Sequence, residues 1–389
     1  MMLVSLQKPN QFLIDETQKT NEFLGMKILN INYFLLAILA LMLFSCDDME
    51  DKVPDGELPI TNETSQLYIL SEGLFNMNNS TLSLYDFENN TTEKDFFLKV
   101  NKRGLGDTAN DMGLYGSQIF IVVNVSSQIE VIDAETAQSI KQIPLFDENG
   151  IARQPRYICF HNGKAYVSSF DGTVAKIDTA SLTIEKIIEV GKNPEGICVA
   201  NNKLYVANSG GLNYPNYDNT VSVIDIESFT EIKKITVGTN PYKIEADSEG
   251  DVYLSSRGDY SENAYLFQKI NSTTDLLETT FENINALNFT IHNDTAYIYN
   301  YNFADASSWV KVFDCKQEKI ISENFISDDT KITTPYGITV NPYNSDVYIT
   351  DAQQFTVWGH VFCFDKTGKL KFKIQEIGLN PNKIIFKQE

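Results

Sequence analysis

The sequence predicts an all-β fold, a seven-bladed β-propeller closed by its own C-terminal strand, and three observations carry the prediction. First, a unit of four short strands recurs: GKNP at 191–194 is answered by GTNP at 238–241, so Pro194 and Pro241 stand 47 residues apart. A fixed period of that size marks a repeat architecture. Second, segments such as IFIVV, RYICF, GICVA and VSVID are nearly continuous apolar runs, as expected of strands covered on both faces. Third, the copy beginning at QLYILSEG has no opening strand, whereas NPNKIIFK at 380–387 is an opening strand with nothing after it. The C-terminal strand is therefore expected to become the innermost strand of the first blade.

Residues 1–25 are polar and unpatterned, and are read as an extension upstream of a start at Met26. Residues 26–45 have the order of a secretory signal: a lysine, an apolar run and a small residue before Cys46. The apolar run from Tyr33 to Phe44 is short against the roughly 20 residues of a spanning helix. Leu43-Phe44-Ser45-Cys46 resembles a bacterial lipobox, which implies lipidation of Cys46 and a membrane anchor. A plain signal peptide or an uncleaved anchor is the competing reading. Asp47-Asp48-Met49-Glu50-Asp51 resembles the acidic tag that carries some Bacteroidota lipoproteins to the outer surface. Residues 46–65 form an acidic tether, and residues 66–389 form the propeller.

Within the propeller, an Asn/Gln-Pro or Thr-Pro step opens the unit at Pro155, Pro194, Pro241, Pro335 and Pro381. A turn and a Tyr-containing strand follow, as in KAYVSSF, KLYVANS, DVYLSSR and DVYITDA. A third strand ends on Asp86, Asp133, Asp178, Asp225, Asp314 and Asp365, at spacings of 47, 45, 47, 89 and 51 residues. The long gap holds a degenerate copy, YLFQKIN, ending near Asn271, which makes seven. Four-stranded units of this length form the radial blades of a propeller, whose closure removes exposed ends.

Turn chemistry separates two faces. First-to-second connections are short and turn-prone, as at HNG 161–163 and ANN 200–202, whereas second-to-third connections are long and irregular. The latter share a face with the Pro-bearing loops between blades, and variable loops on a rigid scaffold are where function sits. Candidate ligand-binding residues there are Phe75, Tyr214, Tyr217, Arg257, Tyr260, Tyr301, Phe303, Trp309, Phe355 and Trp358. The residue after the repeat proline adds Arg156, Glu195, Tyr242 and Tyr336, with Asn382, around the axis. Exposed loop aromatics have the composition of recognition surfaces, although packing of loops onto blades would also place aromatics there.

Catalytic and metal chemistry find little support. His161, His292 and His360 fall at two hairpin turns and one strand start, so they share no site. Carboxylates on the aromatic face (Glu72, Asp107, Asp111, Asp171, Glu195, Asp259, Asp351) could include an acid–base pair, but the chain has 52 acids. No catalytic, metal or cofactor motif is read, and GLGDTAND at 104–111 is read as an inter-blade loop. Cys159 and Cys198 occupy equivalent places on adjacent inner strands, too far apart in a usual propeller for a disulfide. A net charge of −21 argues against a nucleic-acid partner, since such binding is dominated by basic contacts to phosphate.

The NPxGI, K-YVANS and T-VSVID patterns behind a lipobox resemble YncE-like seven-bladed propeller proteins, in particular the lipoprotein group called DUF5074, over Gln66 to Lys387. The resemblance implies a surface lipoprotein. Some relatives capture cobalamin and pass it to a TonB-dependent transporter, so a small-molecule ligand, such as a corrinoid, and a transporter are the implied partners. The shared motifs are scaffold positions, and no ligand contact carries over residue by residue. Enzyme relatives, the streptogramin-lyase-like and lactonase propellers, need a His or carboxylate set at the pore, for which these histidines are misplaced. The expectation is an outer-membrane, lipid-anchored, non-enzymatic binding protein facing the cell exterior. The alternatives are a propeller enzyme, a protein-interaction scaffold, and a periplasmic location.

Overall fold

The computed structural model describes residues 64–260 and 264–388; the signal segment, Cys46 and the tether up to residue 63 lie outside them. The chain forms seven four-stranded antiparallel sheets, six of which run in chain order within residues 109–144, 155–189, 194–236, 241–280, 288–322 and 335–374. The first blade is ordered Pro381–Gln388, Thr64–Ser71, Thr81–Asp86, Thr91–Glu93, so the C-terminal strand closes the ring as expected. Innermost strands touch their neighbours all round, and Pro381–Gln388 contacts both Pro335–Val340 and Ala109–Tyr115.

The repeat marks have identifiable mechanical roles. The Asp that ends the third strand accepts backbone amides of the turn that follows: Asp133 from Thr136 (2.8 Å), Asp178 from Ser181 (2.7 Å) and Asp225 from Ser228 (2.8 Å). Asn271 does the same for Thr273 (3.0 Å), so the degenerate copy keeps the turn while losing the charge. The second-strand tyrosine is fully buried, and its hydroxyl reaches the next blade: Tyr253 donates to the Cys315 carbonyl (2.9 Å) and Tyr205 to that of Ser272 (3.2 Å). A buried phenol needs such a partner, and here the partner also stitches neighbouring blades together.

The glycine of the Pro-x-Gly-Ile step is required by close approach. A Cβ on Gly196 would stand 2.6 Å from the Tyr242 carbonyl oxygen, and one on Gly337 2.2 Å from that of Asn382, both on the next innermost strand.

One expectation about local structure changes, and one element is added. RYICF was expected to be buried like a central strand, yet Pro155–His161 is only half-buried after its proline, because innermost strands border an axial channel. The continuously buried position is the second strand, as in Lys203–Asn208 and Val347–Asp351. A one-turn helix, Phe96–Asn101, follows the short outer strand of the first blade. It is capped by Asp95, which accepts from Leu98 N at 3.1 Å, and it buries Phe97 under the neighbouring blade.

Candidate functional site

The loops between second and third strands and the loops between blades emerge at one end, because each strand reverses direction. Hydrogen bonds tie them together there: Phe170 N to Gln154 O (2.9 Å), Arg257 N to Asn240 O (2.8 Å) and Ala352 N to Thr334 O (2.9 Å). At this end the innermost strands converge on an axial cavity of about 120 Å³. The position after the repeat proline supplies Arg156, Tyr242, Tyr336 and Asn382 to its wall, as the spacing predicts. Arg257 and Glu72 join them from the starts of two loops. Glu195 reaches the cluster through Arg156.

The next residue along also lines the cavity, at Tyr157, Lys243 and Lys383, which strict strand alternation would turn away. The cause is a register shift between Pro155 and Ile158, repeated between Pro194 and Ile197, Pro241 and Ile244, and Pro335 and Ile338. An extra residue there leaves two consecutive side chains facing the axis.

The wall is a network of opposed charges and phenols. The Arg156 Nε donates to Glu195 at 2.8 Å, its Nη1 donates to the Asn110 Oδ1, and Phe170 lies 4.4 Å beneath the guanidinium. Burial works against the Arg156 charge, but Glu195, Tyr157 and Tyr242 together outweigh it and the group is held above the ordinary guanidinium range. The Arg257 guanidinium sits 3.3 Å above the Tyr242 ring, a cation–π arrangement. Tyr157 donates to the Tyr242 hydroxyl at 2.6 Å, and Tyr336 donates to the Glu72 carboxylate. Burial raises the Glu72 carboxyl by more than Arg156 and the Tyr336 hydrogen bond lower it.

Toward the hairpin end a second chamber of about 280 Å³ is bordered by Cys159, Cys198, Asp111 and the Lys243–Glu245 pair (2.6 Å). Both cysteines are free thiols there, and burial pushes both up.

The outer aromatics form two runs. In one, Tyr214, Tyr217 and Tyr260 follow at ring separations of 6.0 and 6.2 Å, with Tyr214 76% and Tyr260 60% exposed. In the other, Tyr301, Phe303, Phe355 and Tyr336 follow at 4.9, 6.4 and 5.5 Å, so the run descends from the rim to the cavity wall. Phe75 is exposed on the loop after Thr64–Ser71. Two residues placed on exposed loops by sequence lie elsewhere. Tyr301 is buried in the core at the end of Thr295–Tyr301, and Trp309 is half-buried within Ser308–Asp314, with Lys311 4.7 Å over its ring. Both strands run further into the connection than the sequence pattern indicates. Trp358 is partly exposed but bridges to Leu379, with Lys94 of the first blade 4.8 Å over its ring.

Most of the carboxylates considered for catalysis support loops. Asp107 accepts the amides of Asn76 (3.1 Å) and Asn78 (2.9 Å), Asp351 those of Thr333 and Thr334 (both 2.9 Å), and Asp171 pairs with Arg153 at 2.5 Å. Among the described residues no three His, Cys, Asp or Glu side chains gather as a metal site.

Fold and site together define a seven-bladed propeller whose axis holds a polar cavity, lined by Arg156, Lys243, Arg257 and Lys383 against Glu72 and Asp111, beneath an aromatic rim. Residues 66–386 match the model of a domain of unknown function, DUF5074, and the chain belongs to that family. No curated protein sequence matches it. Among solved structures, a quinonprotein alcohol dehydrogenase-like protein from Bacteroides thetaiotaomicron superposes with a TM-score of 0.58 at 18% identity, over 83% of this chain and 78% of that one. The hydrazine synthase of Kuenenia stuttgartiensis gives 0.53 at 18%, over 64% of this chain and 74% of that one. The dihydro-heme d1 dehydrogenase NirN gives 0.53 at 10%, over 86% and 77%. At these identities the likeness is one of fold alone.

Proposed function

We propose that this protein is a lipid-anchored binding protein of the outer membrane, facing the cell exterior, that holds a small-molecule ligand at the rim of its axial cavity. In its sharpest form the ligand is cobalamin or another corrinoid, handed on to a TonB-dependent transporter. The observation that supports the reading is the pair of aromatic runs at the loop end, one of which leads from exposed Phe303 through Phe355 to Tyr336 in the cavity wall. Rings exposed beside a buried polar well offer large contact area at low entropic cost, with hydrogen bonding within reach. A broad planar ligand would be gripped by several blades at once.

A thermal-shift screen of corrinoids tests the ligand class, since a ligand at 100 times its Kd adds about 2.7 kcal/mol of apparent stability. Tyr214→Ala and Tyr260→Ala are then expected to weaken binding by about 2 kcal/mol each, roughly thirtyfold, as buried aromatic anchors do. Asn202→Ala and Asn293→Ala on the hairpin end should leave it unchanged. Binding that responds only to the hairpin-end variants refutes the assignment of this face. Cys46→Ala tests the anchor: the protein should leave the membrane fraction or remain unprocessed, and normal processing with unchanged membrane association rules the lipid out.

An enzyme acting on a small molecule is the second reading. What favours it is Glu72, a partly buried carboxyl with a raised affinity for its proton, facing the cavity beside Tyr336. Turnover of a bound ligand that Glu72→Gln abolishes without loss of binding would select this reading over capture.

A further inference from the structure

We propose that the axial cavity is an oxyanion seat: a carboxylate or phosphate group that also carries a hydroxyl is held by Arg257 and Tyr242 beneath the aromatic rim. The inference deepens the binding reading above by naming the chemistry of the group that enters the well.

Four observations converge on it. The chain has only four arginines, Arg103, Arg153, Arg156 and Arg257, and two of them line this one cavity. In a protein of net charge −21, that concentration of guanidinium at the axis gives an anion a local attraction that the overall field denies it. The second observation is the state of Arg257. Its Nε is buried and has no hydrogen-bond partner among the described residues, while stacking on Tyr242 at 3.3 Å holds the guanidinium plane fixed. A buried N–H left unmatched is costly, and a planar oxyanion is the acceptor whose geometry a guanidinium fits.

The third is the phenol pair. Tyr157 and Tyr242 share one hydrogen bond of 2.6 Å, so among the described residues one of their two hydroxyl protons is used and one is left to donate. Last, the Asn382 Oδ1 in the same wall is a buried acceptor without a partner among the described residues, which calls for a donor on the ligand and hence a hydroxyl on the anion. The cavity, at about 120 Å³, has room for several waters or a small head group, and not for a macrocycle or a sugar ring. Whatever larger body the ligand has must stay at the rim. Arg156 is committed to Glu195 and Asn110, so it contributes field more than direct contact.

The test uses the full chain in detergent, titrated calorimetrically with glycolate, inorganic phosphate and the uncharged analogue glycolamide, at ionic strength fixed with chloride. Saturable binding of glycolate or phosphate, and none of glycolamide, is expected; which anion binds more tightly distinguishes a carboxylate seat from a phosphate seat. Arg257→Gln should weaken that binding at least tenfold and Arg257→Lys by less, because a lysine keeps the charge and loses the fork. Tyr242→Phe, which keeps the ring under the guanidinium, should weaken it severalfold and separates loss of a donor from loss of folding. Failure of both anions to outbind chloride, or equal binding by Arg257→Gln and the parent, overturns the proposal. These outcomes are independent of the rim: loss of a corrinoid in Tyr214→Ala with no anion binding in the parent would leave the rim reading standing and the seat refuted.

Discussion

Ring closure is the feature whose removal should cost most. The strand Pro381–Gln388 carries Ile384, Ile385 and Phe386, each under 9% exposed, into two different packing groups. Ile384 and Phe386 pack with Tyr348 and Val361 of the last blade, whereas Ile385 packs with Tyr68, Leu70 and Met112 toward the second. One strand therefore grips both neighbours of the first blade. Truncating a buried Phe to Ala costs about 3–5 kcal/mol and a buried Ile about 2–5 kcal/mol. Phe386→Ala with Ile385→Ala should thus remove roughly 5–10 kcal/mol, comparable with the whole stability of an ordinary domain, about 5–15 kcal/mol.

Deleting residues 380–389 goes further, because it also exposes the edge of Thr64–Ser71 to pairing with other chains. The assay is urea unfolding followed by tryptophan fluorescence, for which the two tryptophans are well placed. Trp358 lies at the seam, bridging Leu379 and facing Lys94 of the first blade, while Trp309 lies in the sixth. In the parent both should report one transition. In Phe386→Ala the midpoint should fall sharply with the two reporters still coincident, and in the deletion the cooperative transition should be lost. A deletion variant that unfolds cooperatively within about 1 kcal/mol of the parent would refute closure by this strand as the source of stability.

Two more outcomes follow from the axis. Gly337→Ala forces a methyl to 2.2 Å from the Asn382 carbonyl oxygen, so a loss of about 1–3 kcal/mol by overpacking is expected in the urea midpoint, and no loss would mean the ring tolerates spreading. For Glu72, burial raises the carboxyl above its unfolded value, so its contribution to stability is present below the ordinary carboxylate range and is lost as pH rises through the native value. Glu72→Gln, which can still accept from Tyr336, should therefore be more stable than the parent at neutral pH, with the difference vanishing in acid; a difference that is constant with pH, or grows in acid, contradicts this.

The blade repeat was legible because its marks are mechanical. Proline starts a strand whose first amide need not pair, Asp closes a turn, and Gly admits the next blade, so each recurs wherever the task recurs. The degenerate copy at 266–271 was found only by position, since Asn271 performs the turn function without the expected letter. The cavity was half legible. Arg156, Tyr242 and Tyr336 follow from counting one residue past a proline, but Tyr157, Lys243 and Lys383 do not, because period-two alternation hides a bulge that turns both positions inward. Trp309 and Tyr301 look like loop residues because a long irregular connection is uniform in sequence, and only pairing such as Asn300 with Trp309 shows how far the strands run.

The bulge also separates the residues that shape the blades from those that line the axis. Six of the seven blades carry this shift, and the consecutive pairs it sets at the top of the axis differ round the ring: Asn110-Asp111, Arg156-Tyr157, Glu195-Gly196, Tyr242-Lys243, Tyr336-Gly337 and Asn382-Lys383, with Asn288-Phe289 unshifted in the remaining blade. The prolines and turn aspartates beside them scarcely differ. Where the second member is glycine, at 196 and 337, the next blade's backbone fills the space, so no side chain could enter there. Where it is Tyr157, Lys243 or Lys383, the space belongs to the cavity. The ring is thus uneven by construction, and chemistry can change at these pairs without touching any residue that shapes a blade. That independence makes the pairs the positions at which the chemistry of the cavity would be altered while the fold is kept.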